Sequence, residues 1–333
     1  MAFLDHSHTA LAGALPIEDT AALTRRAARL SVAVASVLAL IKLAAWLASG
    51  SIAMLASLAD SGLDILASSA TFLAIRYAAS PPDREHRYGH GKAEAFASLL
   101  QAGLVMGSAA LVGEEAVRHL IAPKPIQAEG WALAVMAVSV ALTVVLLRVQ
   151  TRVLGQTSSV AVAGDRAHYA VDLASNLAAM VGIGLTAWLG SARYDAAAGL
   201  FVTGWLVWGA IQVFRDSASQ LMDHELPDEA RAEIVARMIA DPRIRGVHQL
   251  RTRASGPYVH VQMHADMDPA LSLEQAHHVL VAAENRVLEA FPAADIIIHP
   301  DPQDRAEAHG GAFAEADRHD HHEHAPAVAA QGG

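Results

Sequence analysis

Six long apolar runs constrain the fold of this chain more than any other feature of its sequence. Each has roughly the 20 residues that a helix needs to cross the hydrocarbon core of a bilayer. The runs are Ala28–Ser49, Ile52–Ala79, Ala93–Val117, Trp131–Val153, Val160–Leu189 and Ala196–Phe214. After Asp223 the pattern changes to that of a small soluble domain. The sequence therefore predicts an all-α membrane domain of six transmembrane helices, followed by a soluble domain.

The composition agrees with this division and limits the chemistry. Hydrophobic residues make up 53% of the chain and charged residues only 17%, which is too apolar for an ordinary soluble protein. The formal net charge of −10 argues against binding to nucleic acid. The chain has no cysteine, so any bound metal must be held by His, Asp, Glu or backbone oxygen. The first 24 residues lack the basic and then apolar pattern of a cleavable signal peptide.

The distribution of basic residues predicts the orientation of the membrane domain. Loops on one side of the membrane hold most of them: Arg25, Arg26, Arg29, Arg76, Arg84, Arg87, Lys92, Arg148, Arg152 and Arg215. The opposite side holds Arg118, Lys124 and Arg193. Because basic loops stay on the cytoplasmic side, both termini and the soluble domain are predicted to be cytoplasmic.

Two pairs of metal-ligating residues lie inside the apolar runs. Asp60 and Asp64 are four residues apart in the second run, as are His168 and Asp172 in the fifth, so each pair shares one helix face. A carboxylate at the bilayer centre costs about 2.5–3.5 kcal/mol, and a divalent cation would offset both this cost and the repulsion within the first pair. Polar contacts that only join helices are the alternative. Three carboxylates and one imidazole favour a tetrahedral Zn²⁺ site.

Three other polar residues in the apolar runs are predicted to have structural roles. The Lys42 side chain is expected to extend to the outer membrane interface. Asp165 and Arg166 are expected to pair locally, in preference to forming part of a proton path.

The loop between the second and third runs offers three further ligands. Asp83, His86 and His90 provide one carboxylate and two imidazoles within eight residues. On spacing alone, a three-ligand surface site and a solvated loop are equally favoured.

The soluble domain is predicted to have the element order αββαβ of a ferredoxin-like α+β fold. The first helix begins at Pro227–Asp228–Glu229 and ends near Ile239, and the second begins at a Ser272/Gln275 capping box and ends near Ala290. The strands are His248–Arg253, Tyr258–Met267 and Ala294–His299. In the second strand, His260 and His264 alternate with apolar residues.

Histidines are frequent in the soluble half of the chain. His248, His264, His277, His299 and Asp301 form a candidate metal set, although histidines on a solvated sheet face are ordinary. His224, His260 and His278 are interpreted as surface residues. The histidine-rich tail, residues 303–333, is predicted to be disordered, and either loose metal binding or a solubilising role fits its composition.

Three motifs resemble the cation diffusion facilitator family, in its bacterial branch of zinc and ferrous-iron efflux transporters. They are the Asp60/Asp64 pair, the His168/Asp172 pair and the loop Tyr88–Gly89–His90–Gly91–Lys92. The resemblance covers roughly Arg25 to Pro302. It implies a transport site on the second and fifth of six helices, a cytoplasmic metallochaperone-like domain, and a homodimer in the bacterial inner membrane that exports divalent metal in exchange for protons.

The resemblance also implies roles for residues outside the transport site. Asp83, His86 and His90 match a loop site of the family, and the soluble set His248, His264, His277, His299 and Asp301 matches a two-ion cytoplasmic site. Pro300 departs from the polar residue usual in that branch, which leaves only its backbone carbonyl as a ligand. Lys92 and Asp223 match a charged interlock near the dimer contact. The expected segments are 1–24, 25–223, 224–302 and 303–333.

Other functions fit parts of the sequence. A membrane-anchored metal sensor would use the soluble histidines but would not need the four intramembrane ligands. An intramembrane aspartyl protease would need two facing aspartates from separate helices, and a passive channel would be slowed by a tight four-ligand site. Zn²⁺ is the favoured ion, with Fe²⁺, Cd²⁺, Co²⁺ and Mn²⁺ as alternatives.

Overall fold

The computed structural model describes residues 11–49, 52–121, 130–189 and 193–304. The chain divides into two compact units. The first comprises Glu18–Met222, and the second comprises Leu11–Ile17 together with the chain from Asp223. The histidine-rich tail beyond residue 304 lies outside the described residues, so its predicted disorder stays a prediction.

The first unit is built of six long helices. They are α1 (Ile17–Ser49), α2 (Ile52–Ala78), α3 (Ala93–Ile121), α4 (Gly130–Leu154), α5 (Val160–Leu189) and α6 (Arg193–Leu221). Among the described residues, four helices are long and apolar enough to cross a membrane, namely α1 to α4. Helix α1 begins well before Ala28, the predicted start of the first span, because the polar residues after Ile17 continue the same helix.

Helix α5 occupies a central position, since it packs against α2, α3, α4 and α6. Tyr169 and Ala170 on this helix pack with Leu146 of α4 and Val34 of α1. On the α3 side, a side-chain carbon at Gly164 would lie only 2.8 Å from Ser98 Oγ. The absence of a side chain at Gly164 therefore allows α5 to approach α3 closely.

The second unit has the predicted order αββαβ with a small mixed sheet. Its elements are α7 (Asp228–Met238), β1 (Ile244–Ser255), β2 (Tyr258–Met267), α8 (Leu273–Leu288) and β3 (Ala294–Pro302). Strand β2 is central, antiparallel to β1 and parallel to β3. The capping box of Ser272 and Gln275 at the start of α8 is confirmed. Apolar residues of both helices and of the sheet form one core, centred on Ile234, Val261 and Val279.

A short N-terminal stretch belongs to this second unit. Leu11 and Ala12 pack against its core, and the Ala293 N–H donates to the Gly13 carbonyl over 3.4 Å. Gly13 has φ +78°, and a side-chain carbon there would lie 2.7 Å from Val259 Cγ2. Both the backbone conformation and the close approach favour glycine.

The interpretation of His260 as a surface residue is wrong. The side chain alternates with apolar residues along β2 as expected, but β2 is flanked by a strand on each side. His260 therefore lies between Arg253 of β1 and Asp295 of β3 and is only 6% exposed. Its Nδ1 lies 3.3 Å from Asp295 Oδ2.

Candidate metal sites

Three of the four intramembrane candidates converge between α2 and α5. His168 Nε2 lies 3.0 Å from Asp64 Oδ1, and both side chains are buried. One ligand atom each from Asp64, His168 and Asp172 lies within 4.8 Å of the other two. Tetrahedral Zn²⁺ has bonds of about 2.0–2.2 Å, which place oxygen and nitrogen ligands roughly 3.3 Å apart. The three groups could therefore hold such an ion after a small contraction.

Asp60 does not join this cluster, although it lies one helical turn from Asp64. Its side chain is exposed on the surface of the first unit and interacts electrostatically with Asp64 and His168. A fourth ligand from Asp60 thus remains a prediction that requires its side chain to turn toward the cluster.

Lys42 contacts α2 through its ammonium group, and the extension of its side chain to the outer membrane interface stays a prediction. Its Nζ donates to the Ser57 carbonyl over 3.2 Å and to Ser61 Oγ over 2.6 Å. A backbone carbonyl and a serine hydroxyl on the neighbouring helix satisfy the ammonium group within the protein. The held charge interacts electrostatically with Asp60 and Asp172, so a fixed cation lies beside the candidate metal cluster.

The predicted local pair of Asp165 and Arg166 is wrong. Neighbouring residues on a helix point in different directions, so these two side chains face different helices. Arg166 Nε donates to Thr151 Oγ1 of α4 over 3.1 Å. The Asp165 carboxylate accepts hydrogen bonds from Ser68, Gln101 and Gln150, which lie on α2, α3 and α4.

The start of α5 is fixed by a buried carboxylate of α3. Ser159 precedes the first helical residue, and its Oγ accepts a bond from the Val162 N–H over 3.3 Å, as an N-cap does. The same hydroxyl donates to Glu94, and both side chains are buried. A carboxylate near a helix N-terminus is favoured by the helix dipole. This contact helps to position the helix that carries His168 and Asp172.

The loop candidates Asp83, His86 and His90 come together, and their role as a metal site stays a prediction. Asp83 Oδ1 lies 3.3 Å from His86 Nδ1, and Asp83 Oδ2 lies 3.3 Å from His90 Nε2. Hydrogen bonds from the backbone N–H groups of His86 and Glu85 lower the pKa of Asp83, so it is ionised at neutral pH. His90 is buried, and its Nδ1 lies 3.4 Å from the Ser80 carbonyl, which orients Nε2 toward the carboxylate.

In the second unit, the third cluster consists of His248, His264 and Asp301. Asp301 Oδ2 lies 2.8 Å from His264 Nδ1 and 3.3 Å from His248 Nε2. Burial lowers the pKa of His264, although its bond to Asp301 opposes this change, so the imidazole is neutral at pH 7. A neutral imidazole is the form that binds a metal ion.

The two other candidate ligands of the second unit, His299 and His277, differ in their distance from this cluster. His299 is adjacent, with Nε2 3.3 Å from Asp301 Oδ1. His277 lies on α8 beside His278, with ring centroids 6.0 Å apart, and the structure does not bring it into the cluster. Its role as a ligand stays a prediction.

The proposed interlock residues each have a described partner in their own unit. Lys92 Nζ donates to the Leu221 carbonyl over 3.2 Å. Asp223 Oδ2 lies 3.2 Å from Arg253 Nη1. A contact between Lys92 and Asp223 stays a prediction.

Sequence reasoning missed the polar residues that surround these sites in the first unit. They are Ser31, Ser68, Thr71, Glu94, Gln101, Gln150 and Ser159, all of which are buried. Their presence inside or at the ends of apolar runs was the available signal, because buried polar groups need hydrogen-bond partners. Which partners they have depends on how the helices pack.

Comparison with known proteins finds relatives over most of the chain. The cation efflux transmembrane domain matches residues 28–222, and the cytoplasmic domain of cation efflux proteins matches residues 226–303. A cation-efflux pump FieF of Klebsiella pneumoniae is 41% identical over 84% of this chain and 93% of its own length. The FieF pump of Escherichia coli O139:H28 is 40% identical over the same shares. A solved structure of CzrB in its zinc form is 30% identical, with a TM-score of 0.24, and covers 26% of this chain and 99% of that one.

Proposed function

Because the chain belongs to the cation diffusion facilitator family of divalent-metal efflux proteins, we propose that it exchanges cytoplasmic Zn²⁺ for protons by alternating access. The observation that carries this proposal is the convergence of Asp64, His168 and Asp172 between α2 and α5. Asp60 completes the site as its fourth ligand. Two carboxylates and one imidazole are costly to place inside a bilayer, and a bound cation offsets that cost.

The donor set favours Zn²⁺ over harder ions. Ca²⁺ and Mg²⁺ prefer six or more oxygen ligands, whereas an imidazole and a low ligand count suit Zn²⁺. Fe²⁺ and Cd²⁺ are alternative substrates. The metal is the cargo of the protein at this site, and it is held only until the site opens to the other side.

Proton exchange follows from the chemistry of the ligands. Each ligand must be deprotonated to bind the metal, so metal and protons compete for the same atoms. On the far side of the membrane, protonation of His168 and of one or more aspartates would release the ion. The protonated site would then return to the cytoplasmic side.

The remaining parts of the proposal concern the whole protein. We infer a homodimer in the bacterial inner membrane with both termini cytoplasmic, six transmembrane helices within residues 25–223, and a ferredoxin-like domain in residues 224–302. The cluster of His248, His264 and Asp301 would tighten the dimer when metal is plentiful. The loop cluster of Asp83, His86 and His90 would be an entry or regulatory site. Lys92 and Asp223 would form the interlock between membrane and soluble parts.

The test is Zn²⁺ flux into proteoliposomes with and without an imposed pH gradient. Wild-type protein is compared with Asp64→Ala, and with Glu115→Gln as a control that removes an exposed carboxylate of α3. We expect gradient-driven flux in the wild type and the control, and its loss in Asp64→Ala.

Two results would contradict the proposal. Undiminished flux in Asp64→Ala would remove the site from the transport path. Tight Zn²⁺ binding without flux in any of the three proteins would instead favour a membrane-anchored metal sensor.

A further inference from the structure

The first unit contains a buried carboxyl group outside the metal cluster. Asp165 is 1% exposed and accepts hydrogen bonds from three helices. Its Oδ1 lies 3.3 Å from Ser68 Oγ and 3.2 Å from Gln101 Nε2, and its Oδ2 lies 2.8 Å from Gln150 Nε2. Ser68, Gln101 and Gln150 are themselves fully buried. The group is therefore held by a built set of polar contacts.

The direct hydrogen-bond partners of this carboxylate carry no charge, and the nearby cationic group is the imidazole of His168, which acts on it only electrostatically. The side chains that face it from α1 to α4 are uncharged: Ser31, Ser68, Thr71, Gln101 and Gln150. Arg166, the next residue along α5, donates from Nε to Thr151 Oγ1 of α4. The burial of a carboxylate among uncharged partners is unfavourable, and a bound proton removes this cost.

Two titratable side chains of α5 itself also lie close. His168, three residues along the helix, interacts electrostatically with Asp165, and so does Tyr169. The Tyr169 hydroxyl lies 2.8 Å from Ser68 Oγ and donates to the Ser31 carbonyl over 3.1 Å. Tyr169 thereby connects Asp165, through Ser68, to a backbone carbonyl.

This chain of hydroxyl groups satisfies Asp165 in either protonation state. When the carboxylate is ionised, the Ser68 hydroxyl donates to it and Tyr169 donates to the Ser31 carbonyl, so the 2.8 Å contact between Ser68 Oγ and the Tyr169 hydroxyl holds no hydrogen. When the carboxyl is protonated, its O–H donates to Ser68, Ser68 turns to donate to Tyr169, and Tyr169 still donates to the carbonyl. The change needs only the rotation of hydroxyl groups.

The side-chain amides of Gln101 and Gln150 also fit both protonation states of Asp165. Each Nε2 serves the carboxylate and one hydroxyl, Thr71 for Gln101 and Ser31 for Gln150. Within the described part of the chain, their Oε1 atoms are buried and have no donor. These oxygens can accept a hydrogen bond from a water that brings or removes a proton.

We propose that Asp165 is a proton-binding site distinct from the metal ligands. It takes up one proton from water onto a carboxylate oxygen and returns it to water. The coupling of this site to metal rests on the proposed function. A divalent ion held by His168 would repel a proton on Asp165, so metal binding would release it.

The first test is infrared spectroscopy of the full-length protein in lipid, without metal, from about pH 8 to about pH 5. We expect a carbonyl stretch of a protonated carboxyl group that Asp165→Asn removes. Glu94→Gln, which replaces another buried acid of this unit, should leave that band unchanged. Zn²⁺ added to the wild type should diminish the band. The wild type should also release up to about one more proton per Zn²⁺ than Asp165→Asn, as read by a pH indicator in weak buffer.

A second variant covers the case in which Asp165→Asn does not fold. Gln150→Leu removes one donor to the ionised carboxylate, so the band should persist to higher pH than in the wild type. If neither variant alters any carboxyl band, Asp165 stays ionised and is only a structural contact. Wild-type proteoliposomes without Zn²⁺ flux would overturn the proposed function, whereas the band would still report on Asp165.

Discussion

At the scale of single residues, the candidate transport site includes a cation that belongs to the protein. Lys42 is held by Ser57 and Ser61 and acts electrostatically on Asp60 and Asp172. Its charge opposes that of an incoming metal ion and so should weaken binding. A transporter benefits from this effect, because an ion that is bound too tightly leaves slowly.

Replacement of Lys42 should therefore tighten metal binding. In Lys42→Met we expect the affinity for Zn²⁺ to rise about tenfold, or about 1.4 kcal/mol, as measured by titration calorimetry at constant pH. Lys42→Arg retains the charge and is the matched control. Equal affinity in all three proteins would show that Lys42 only joins α1 to α2.

At the scale of elements, the placement of α5 determines the site, since this helix carries His168, Asp172 and Asp165. Glu94 and Ser159 hold its first turn, and the close approach at Gly164 brings it against α3. The sequence showed which residues share a face of α5, because that follows from helix periodicity alone. It did not show that Asp165 and Arg166 would face different helices, because partners across helices depend on the packing of the whole unit.

Gly164 offers a direct test of this close approach. A side-chain carbon there would meet Ser98 Oγ at 2.8 Å and the Ser98 Cα at 3.1 Å, so the Ser98 hydroxyl must rotate and the two helices must separate slightly. Gly103, on α3, has no atom within 4 Å of such a carbon. Alanine favours a helix over glycine by about 1 kcal/mol.

Gly103→Ala should thus keep or raise the thermal midpoint of the full-length protein, while Gly164→Ala should lower it and reduce flux. Differential scanning fluorimetry in detergent and the flux assay measure both effects. Equal midpoints for the two variants would mean that α5 tolerates displacement, and the contact with Ser98 would then not position the site.

At the scale of the molecule, the sequence predicted the division into membrane and soluble parts and the αββαβ order, because both follow from local hydrophobic patterns. The spacing of Asp83, His86 and His90 left a loop site and a solvated loop equally open, and the structure brings the three side chains together. Sequence reasoning placed His260 wrongly, because alternation along β2 does not reveal that strands lie on both sides.

The cluster of His248, His264 and Asp301 predicts how pH and metal together would control the proposed dimer. Burial keeps the pKa of His264 below its usual value of about 6.5, so the imidazole is neutral at pH 7.5 and can bind metal. As the pH falls through and below that value, protons compete with the metal for His264. Added Zn²⁺ should therefore strengthen the dimer of the full-length protein at pH 7.5 and have little effect near pH 5.5. Chelation of the metal should reverse the effect at pH 7.5.

Analytical ultracentrifugation in detergent measures the dimer dissociation constant. His264→Ala is the test variant, and His224→Ala, which replaces an exposed histidine outside the cluster, is its control. A Zn²⁺ effect that persists in His264→Ala, or that is equal at both pH values, would separate dimerisation from this cluster.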